Sequence, residues 1–227
     1  MAIARIGVVG LGCMGSAMAR RLVAAGYDVT VTTRTQAKLA LLAPPGARTV
    51  TLPADAAQAA DLVLVSVRGE RAVEEVLFDH GSIGETLRHG GYILDTSTTS
   101  PEFSRAATTR LAGYGLTRLE GCLLGDPARA RLGQLRMLFG GSAAHLAAVA
   151  DVAGAFADQI VHTGAVGTAS RAKAMHEALL ADGLPASAHA LVHELSTRSP
   201  WSAGEPPMDA APASAVDVLP DLAKATA

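Results

Sequence analysis

A chain of 227 residues, 49% hydrophobic and 18% charged, can build a core unaided, because a domain of about 150 residues already removes roughly 68–70% of its unfolded surface from water. Its formal net charge of −2 provides no field to gather nucleic acid or anionic lipid, so neither is expected as a partner. Cys13 and Cys122 lie far apart with no CxxC spacing, which argues against a disulfide framework and a zinc site and suits a reducing cytosol.

The opening MAIARIGVVGLG is too short in apolar residues for a signal peptide. No later apolar run reaches the roughly 20 residues that cross a bilayer. A soluble, cytoplasmic protein is expected. Short apolar runs bounded by turn residues then alternate with helical patterns through residue 160 or so, which predicts βαβ units and a parallel sheet. The predicted strands are Arg5–Val9, Asp28–Thr32, Leu62–Val67, Tyr92–Asp95, Leu116–Leu119, Arg136–Phe139 and Ile160–His162. Between the first two, Met14, Met18 and Leu22 recur every four residues beside Ala17, Ala24 and Ala25. That spacing predicts a helix packed closely on the sheet and ended by Gly26.

From Ala165 to about Thr197 the chain is rich in alanine and leucine, with Ala172, Met175, Leu179 and Leu180 at helical spacing. A long helix is predicted, broken near Gly183 and Pro185, because proline inside a helix costs about 3 kcal/mol. His176, His189 and His193 fall on this segment without metal-ligand spacing, and no metal is expected. Five prolines between Pro200 and Pro220 read as a linker or loosely ordered segment. The predicted division is 1–163, 164–198 and 199–227.

GLGCMG follows the first strand and opens the first helix, the setting in which GxGxxG points to a dinucleotide. Gly10 permits the tight turn, Gly12 lets backbone approach a pyrophosphate, and Gly15 allows helix and strand to pack closely, while the N–H groups of Leu11, Cys13 and Met14 belong to the same loop. A plain strand-to-helix turn is the alternative. An NAD site usually carries a carboxylate at the end of the second strand. Here that stretch reads Thr32, Thr33, Arg34, Thr35 and then Lys38. Arginine and lysine suit a 2′-phosphate, so NADP is favoured; ordinary solvated surface charges are the other reading.

GLGCMGSAMARRL, TRTQAKL, AVEEVLF, DTSTTSP and ARLGQLRMLFGG together resemble, in order, the β-hydroxyacid dehydrogenase family, which includes the 3-hydroxyisobutyrate and 6-phosphogluconate dehydrogenases and has imine reductases as structural relatives. The resemblance covers about residues 3–180. It implies an α/β fold with an N-terminal Rossmann-type doubly wound sheet, then a long helix and a reduced all-α C-terminal segment. It also implies that Lys173 is the proton donor or acceptor and that Ser97 and Thr98 lie beside the nicotinamide; Val67 is a further candidate cofactor contact. A helix-surface lysine is the alternative for Lys173. Because the family's second domain is longer, the apolar stripe of Met175, Leu179 and Leu191 is expected to pack on a second subunit in a homodimer.

Departures from the family pattern cluster where it binds substrate. Leu124, Gly125 and Asp126 stand at its serine-glycine-glycine loop, Glu177 replaces the asparagine four residues after the lysine, and Pro220 precedes Asp221 where the family has a lysine. His176 lies on the same helix, between Lys173 and Glu177. Lost donors and added anions oppose a carboxylated substrate. Glu177, one turn past Lys173, can pair with it and support an acid role. The expectation is an NADPH-dependent reductase of a small neutral or basic carbonyl or imine. Two alternatives remain: a cyclase, isomerase or dehydratase using Glu177, Asp126 or His176, and a non-catalytic nucleotide-binding protein.

Overall fold

The computed structural model describes residues 3–181, with backbone alone for 179–181. In chain order the elements are β1 Arg5–Val9, α1 Cys13–Ala24, β2 Asp28–Thr32, a 3-10 turn Gln36–Lys38, α2 Leu39–Leu42, β3 Arg48–Thr49, α3 Pro53–Ala57 and β4 Leu62–Val65. There follow α4 Glu70–Phe78, α5 Ile83–Thr86, β5 Tyr92–Asp95, α6 Pro101–Gly113, β6 Thr117–Leu124, α7 Pro127–Leu132, β7 Leu135–Gly140, α8 Ala143–Gly154, β8 Ala157–Gly164 and α9 Thr168–Ala181.

The eight strands form one sheet in the order β3-β2-β1-β4-β5-β6-β7-β8. Its strands are largely unbroken apolar runs because both faces are covered. Met18, Leu22, Leu146, Val149 and Val152 of α1 and α8 fill one face with Ile6, Val8 and Val31. On the other, Ala57, Val73, Leu77 and Leu111 of α3, α4 and α6 meet Val63, Val65 and Ile93. This is the α/β doubly wound sheet that the family resemblance implied, built from the βαβ units the strand-helix alternation predicted.

The uniformly parallel sheet expected from that alternation is corrected at β7, which pairs antiparallel with β6, Glu120 opposite Gly140 and Leu124 opposite Arg136. The connection holds little beyond the six-residue α7, and a parallel return needs a crossover of roughly a dozen residues or more. Gly133, at φ 73°, ends α7 in the left-handed region and turns the chain back. The α8 crossover is long enough, and β8 runs parallel to β7.

Strand ends also differ from expectation. The antiparallel partner extends β6 through Leu124, so the supposed substrate loop begins as strand. Ser66 and Val67 leave the sheet after Val65 and turn into a cleft. The two-residue β3 was not anticipated; it is too short to show alternation and is held at the edge by β2. The long helix begins at Thr168 and is described to Ala181. Its predicted break at Gly183 and Pro185, His189, His193 and Leu191, Asp221, and the proline-rich segment all lie outside the described residues.

Candidate functional site: a dinucleotide cleft opening on a lysine pocket

Strand order reverses at β1, between β2 and β4, and in such sheets ligands sit beyond the strand C-termini at that switch point. A 770 Å³ cavity lies there, walled by Gly10 to Gly15 after β1, Thr32 to Gln36 after β2 and Ser66 to Arg68 after β4. His80 and Gly81, beyond α4, close one side. The glycines differ in what constrains them. Gly10 has φ 102°, and a Cβ there would overlap the Ser66 carbonyl oxygen. At Gly15 a Cβ would overlap the Gly10 carbonyl oxygen. Around Gly12 there is open space on the cleft side.

Ser100, Asp126 and Ser142 cap α6, α7 and α8 with side-chain oxygens, which accept from the N–H groups of Phe103, Arg129 and His145. By contrast, α1 has Gly12 at its N-cap position, with no side-chain cap and no acid in its first turn. Unpaired N–H groups at a helix N-terminus form an anion site. The residues present therefore fit a dinucleotide: α1 faces the cleft with donors, and Gly12 leaves room for a pyrophosphate.

At the far end of the cleft, Thr33, Arg34, Thr35 and Gln36 line the wall. Thr32 is buried and its hydroxyl donates to the Thr51 carbonyl, so it serves the scaffold. Arg34 is exposed in the cavity. Lys38 ends the 3-10 turn exposed and does not line the cavity. The cavity also includes Cys13 and Met14, while Leu11 is buried beneath it in the core. A carboxylate lining the same cavity, Glu75 of α4, is paired with Arg71 at 2.9 Å.

A second cavity of 250 Å³ shares Met14, Ser66, Val67 and Arg68 with the first and adds Thr96, Ser97, Thr98, Leu123, Gly125 and Lys173. Lys173 Nζ donates to Thr98 Oγ1 at 2.8 Å, and Glu177 Oε1 lies 3.7 Å from the same nitrogen. The Val67 N–H donates to Ser97 Oγ at 3.1 Å, tying the loop after β4 to that after β5. Thus the sequence-derived Val67, Ser97, Thr98, Gly125 and Lys173 converge on one pocket.

Three expected substrate residues do not converge there. The Asp126 carboxylate accepts from Arg129 N as the α7 cap, Leu124 packs with Cys122, Leu138 and Ala169, and His176 is half-buried on α9 and lines neither cavity. An aspartate followed by proline is itself a helix-start signal, and it would have found the cap. Among the lining residues that sequence reasoning missed is Arg68, exposed at the junction of both cavities. Its place just beyond a strand at the switch point was the available signal. Burial first, and the Glu120 charge second, push the Cys122 thiol up to about 12, so it takes no part as a thiolate.

A Rossmann-type sheet carrying an uncapped, glycine-rich helix N-terminus at its switch point defines the class: dinucleotide-binding α/β domains. The sequence profile of the NAD binding domain of 6-phosphogluconate dehydrogenase matches residues 5–164, and the chain belongs to that family.

Its sequence is 31% identical to L-threonate dehydrogenase of Cupriavidus necator over 187 residues, which are 82% of this chain and 63% of that enzyme. Among solved structures, an imine reductase variant from Myxococcus stipitatus in complex with NAD+ superposes with a TM-score of 0.74 at 26% identity, covering 84% of this chain and 65% of that one. The imine reductase from that organism in complex with NADP+ gives 0.70 at 28%, covering 84% and 63%. The 3-hydroxyisobutyrate dehydrogenase of Mycobacterium tuberculosis, solved with L-serine, shares the fold with a TM-score of 0.73 at 24% identity over 86% of this chain and 66% of that one. The aligned part of the chain thus spans less than two thirds of the length of L-threonate dehydrogenase. No helix among the described residues is long and apolar enough to cross a membrane.

Proposed function

We propose that this chain is an NADPH-dependent reductase of a small neutral or basic carbonyl or imine compound, with Lys173 delivering the proton. The observation that carries this reading is the placement of Lys173 Nζ, held by Thr98 Oγ1 on the wall of the pocket that opens from the dinucleotide cleft.

Gly10, Gly12, Gly15 and the first turn of α1 would hold the pyrophosphate, and Arg34 would bind a 2′-phosphate as a planar fork. NADPH, when bound, supplies a hydride to the substrate carbon. Charge then develops on the attached oxygen or nitrogen, and a positioned acid neutralises it. An ammonium carries three hydrogens. One is engaged by Thr98 and Glu177 lies beside another, leaving Lys173 a donor for the substrate heteroatom. Ser97 shapes the wall by binding the Val67 N–H.

The preference for a neutral or basic compound rests on the donors lost at Leu124, Glu177 and Pro220 and on the anions added at Asp126 and Glu177. Asp126 is occupied as a cap, and Glu177 pairs with the lysine. Arg68 and Lys173, meanwhile, place two cations on the pocket wall. That observation favours a second reading, in which the same reductase takes an oxo acid whose carboxylate meets Arg68.

A panel of ketones, imines and oxo acids, followed by the loss of reduced-nicotinamide absorbance, tests the proposal. Lys173→Ala is expected to lower kcat on the order of 10²- to 10⁴-fold with NADPH affinity retained, and unchanged turnover would remove Lys173 from the chemistry. Arg34→Ala is expected to reduce the preference for NADPH over NADH by about tenfold or more. If Arg68→Ala raises KM for oxo acids alone, the second reading is the right one. A product whose mass shows no added hydrogens would point to a non-redox enzyme.

A further inference from the structure

Behind the lysine pocket lies a buried chain of polar side chains that the proton-delivery reading does not use. It begins at Asp95, at the end of β5, whose Oδ1 accepts from the Ser97 N–H at 2.9 Å. Its Oδ2 accepts from Arg118 Nη2 at 2.6 Å, an ion pair with side chains 1% and 0% exposed. Arg118 Nη1 donates to the Ser104 hydroxyl and carbonyl on α6. The Ser104 hydroxyl donates to Glu120 Oε1 at 2.9 Å.

Glu120, 2% exposed on β6, is where this chain meets α9. Its Oε1 accepts from the backbone N–H and the hydroxyl of Ser170, and its Oε2 from the N–H groups of Gly167 and Ala169. A carboxylate on the sheet thus caps a helix from the side, against the positive end of the helix dipole. A Cβ on Gly140 would overlap Glu120 Oε2, and Gly167 has φ 95°.

Lys173 follows Ser170 by about one turn, and its Nζ returns to Thr98, in the loop held at Ser97 by Asp95. The path from Thr98 through Asp95, Arg118, Ser104 and Glu120 to α9 closes on itself at the bond between Lys173 and Thr98. We propose that Glu120 is a positioning residue for Lys173: by anchoring the first turn of α9, it sets where the ammonium stands in the pocket. The inference rests on the reading of Lys173 as the proton donor. Asp95 and Arg118 anchor the opposite side of the same contact.

The test uses the full chain and Glu120→Gln, which keeps the size but replaces one acceptor by a donor and removes the charge. A misplacement of about 1 Å can cost on the order of 100-fold in rate. The expected result is a kcat lower by about 10- to 100-fold, with KM and NADPH affinity within about twofold. In a Lys173→Ala background the same change should have no further effect, since a residue acting through another is not additive with it.

Lysine acylation read by mass spectrometry gives an arm independent of turnover. Lys173 should label faster in Glu120→Gln, relative to the exposed Lys38, than in the unaltered chain. If Glu120→Gln does not fold, Ser170→Ala removes one donor to the same carboxylate and carries the same comparisons at smaller size. Equal losses of turnover with and without Lys173, or unchanged turnover together with unchanged Lys173 labelling, would overturn the inference. Should Lys173→Ala alone leave turnover intact, the acid reading fails, while the labelling arm still decides whether Glu120 positions the lysine.

Discussion

Gly12 and Gly15 stand three residues apart, yet a methyl group would act differently at each. Gly12 has an extended backbone, φ −77°, ψ −170°, and open space where a Cβ would go. Gly12→Ala should therefore leave thermal unfolding within about 0.5 kcal/mol of the parent while weakening NADPH binding by roughly tenfold or more, because the methyl enters the space a pyrophosphate needs. Gly15→Ala meets the Gly10 backbone and should destabilise the fold itself by about 1–3 kcal/mol. Calorimetry and a fluorescence titration on both variants separate these outcomes, and a Gly12→Ala protein with full affinity would count against the cradle. At this scale the sequence was readable where local sterics decide. Gly10, Gly12, Gly15 and Lys173, singled out by spacing or resemblance, line the two cavities. The capping bond of Asp126 was not anticipated, because its carboxylate has a backbone partner only once α7 is recognised.

Asp61 shows how elements are tied together. It precedes β4, and its carboxylate accepts the N–H groups of Ala4 and Arg5 at the entry to β1 while pairing with Arg5 and Arg88. Burial alone would raise its pKa, but the Arg5 side-chain bond, the two backbone donors and the Arg5 charge outweigh it and hold the group at about 2, against 3.8. A folded pKa below the unfolded one contributes stability that is complete above the unfolded value and lost as pH falls through the folded value. Asp61→Asn is expected to cost about 1–2 kcal/mol near neutral pH and to flatten the decline in Tm between roughly pH 5 and pH 2. An unchanged Tm profile would show that the anchor contributes nothing. Element identity and order were largely legible in the chain, since strands here are apolar runs and helices carry their own spacing. The reversal at β7 was not, because strand direction depends on whether the connection is long enough to cross the sheet.

For the whole molecule, the open matter is what α9 packs against beyond β6, β7, β8 and α6. Met175 is 51% exposed on it, and the chain spans 63% of the length of L-threonate dehydrogenase. We expect a homodimer in which this face is covered. Light scattering on the eluting full chain should give twice the mass of one chain, and Met175→Glu should shift it towards one. A monomer at every concentration would refute the expectation.

The sequence by itself determined what local rules govern: strand and helix placement, the glycine loop, the absence of an acid after β2, and the family, because these depend on side-chain spacing and on backbone sterics a few residues long. Only the tertiary structure decided which polar groups share a site. It brought Arg68 to the junction of two cavities, took Asp126 out of the pocket, and joined Glu120 to Gly167, Ala169 and Ser170 across about fifty residues of chain. Buried hydrogen-bond partners are chosen by proximity after folding, and no periodicity in the chain records that choice.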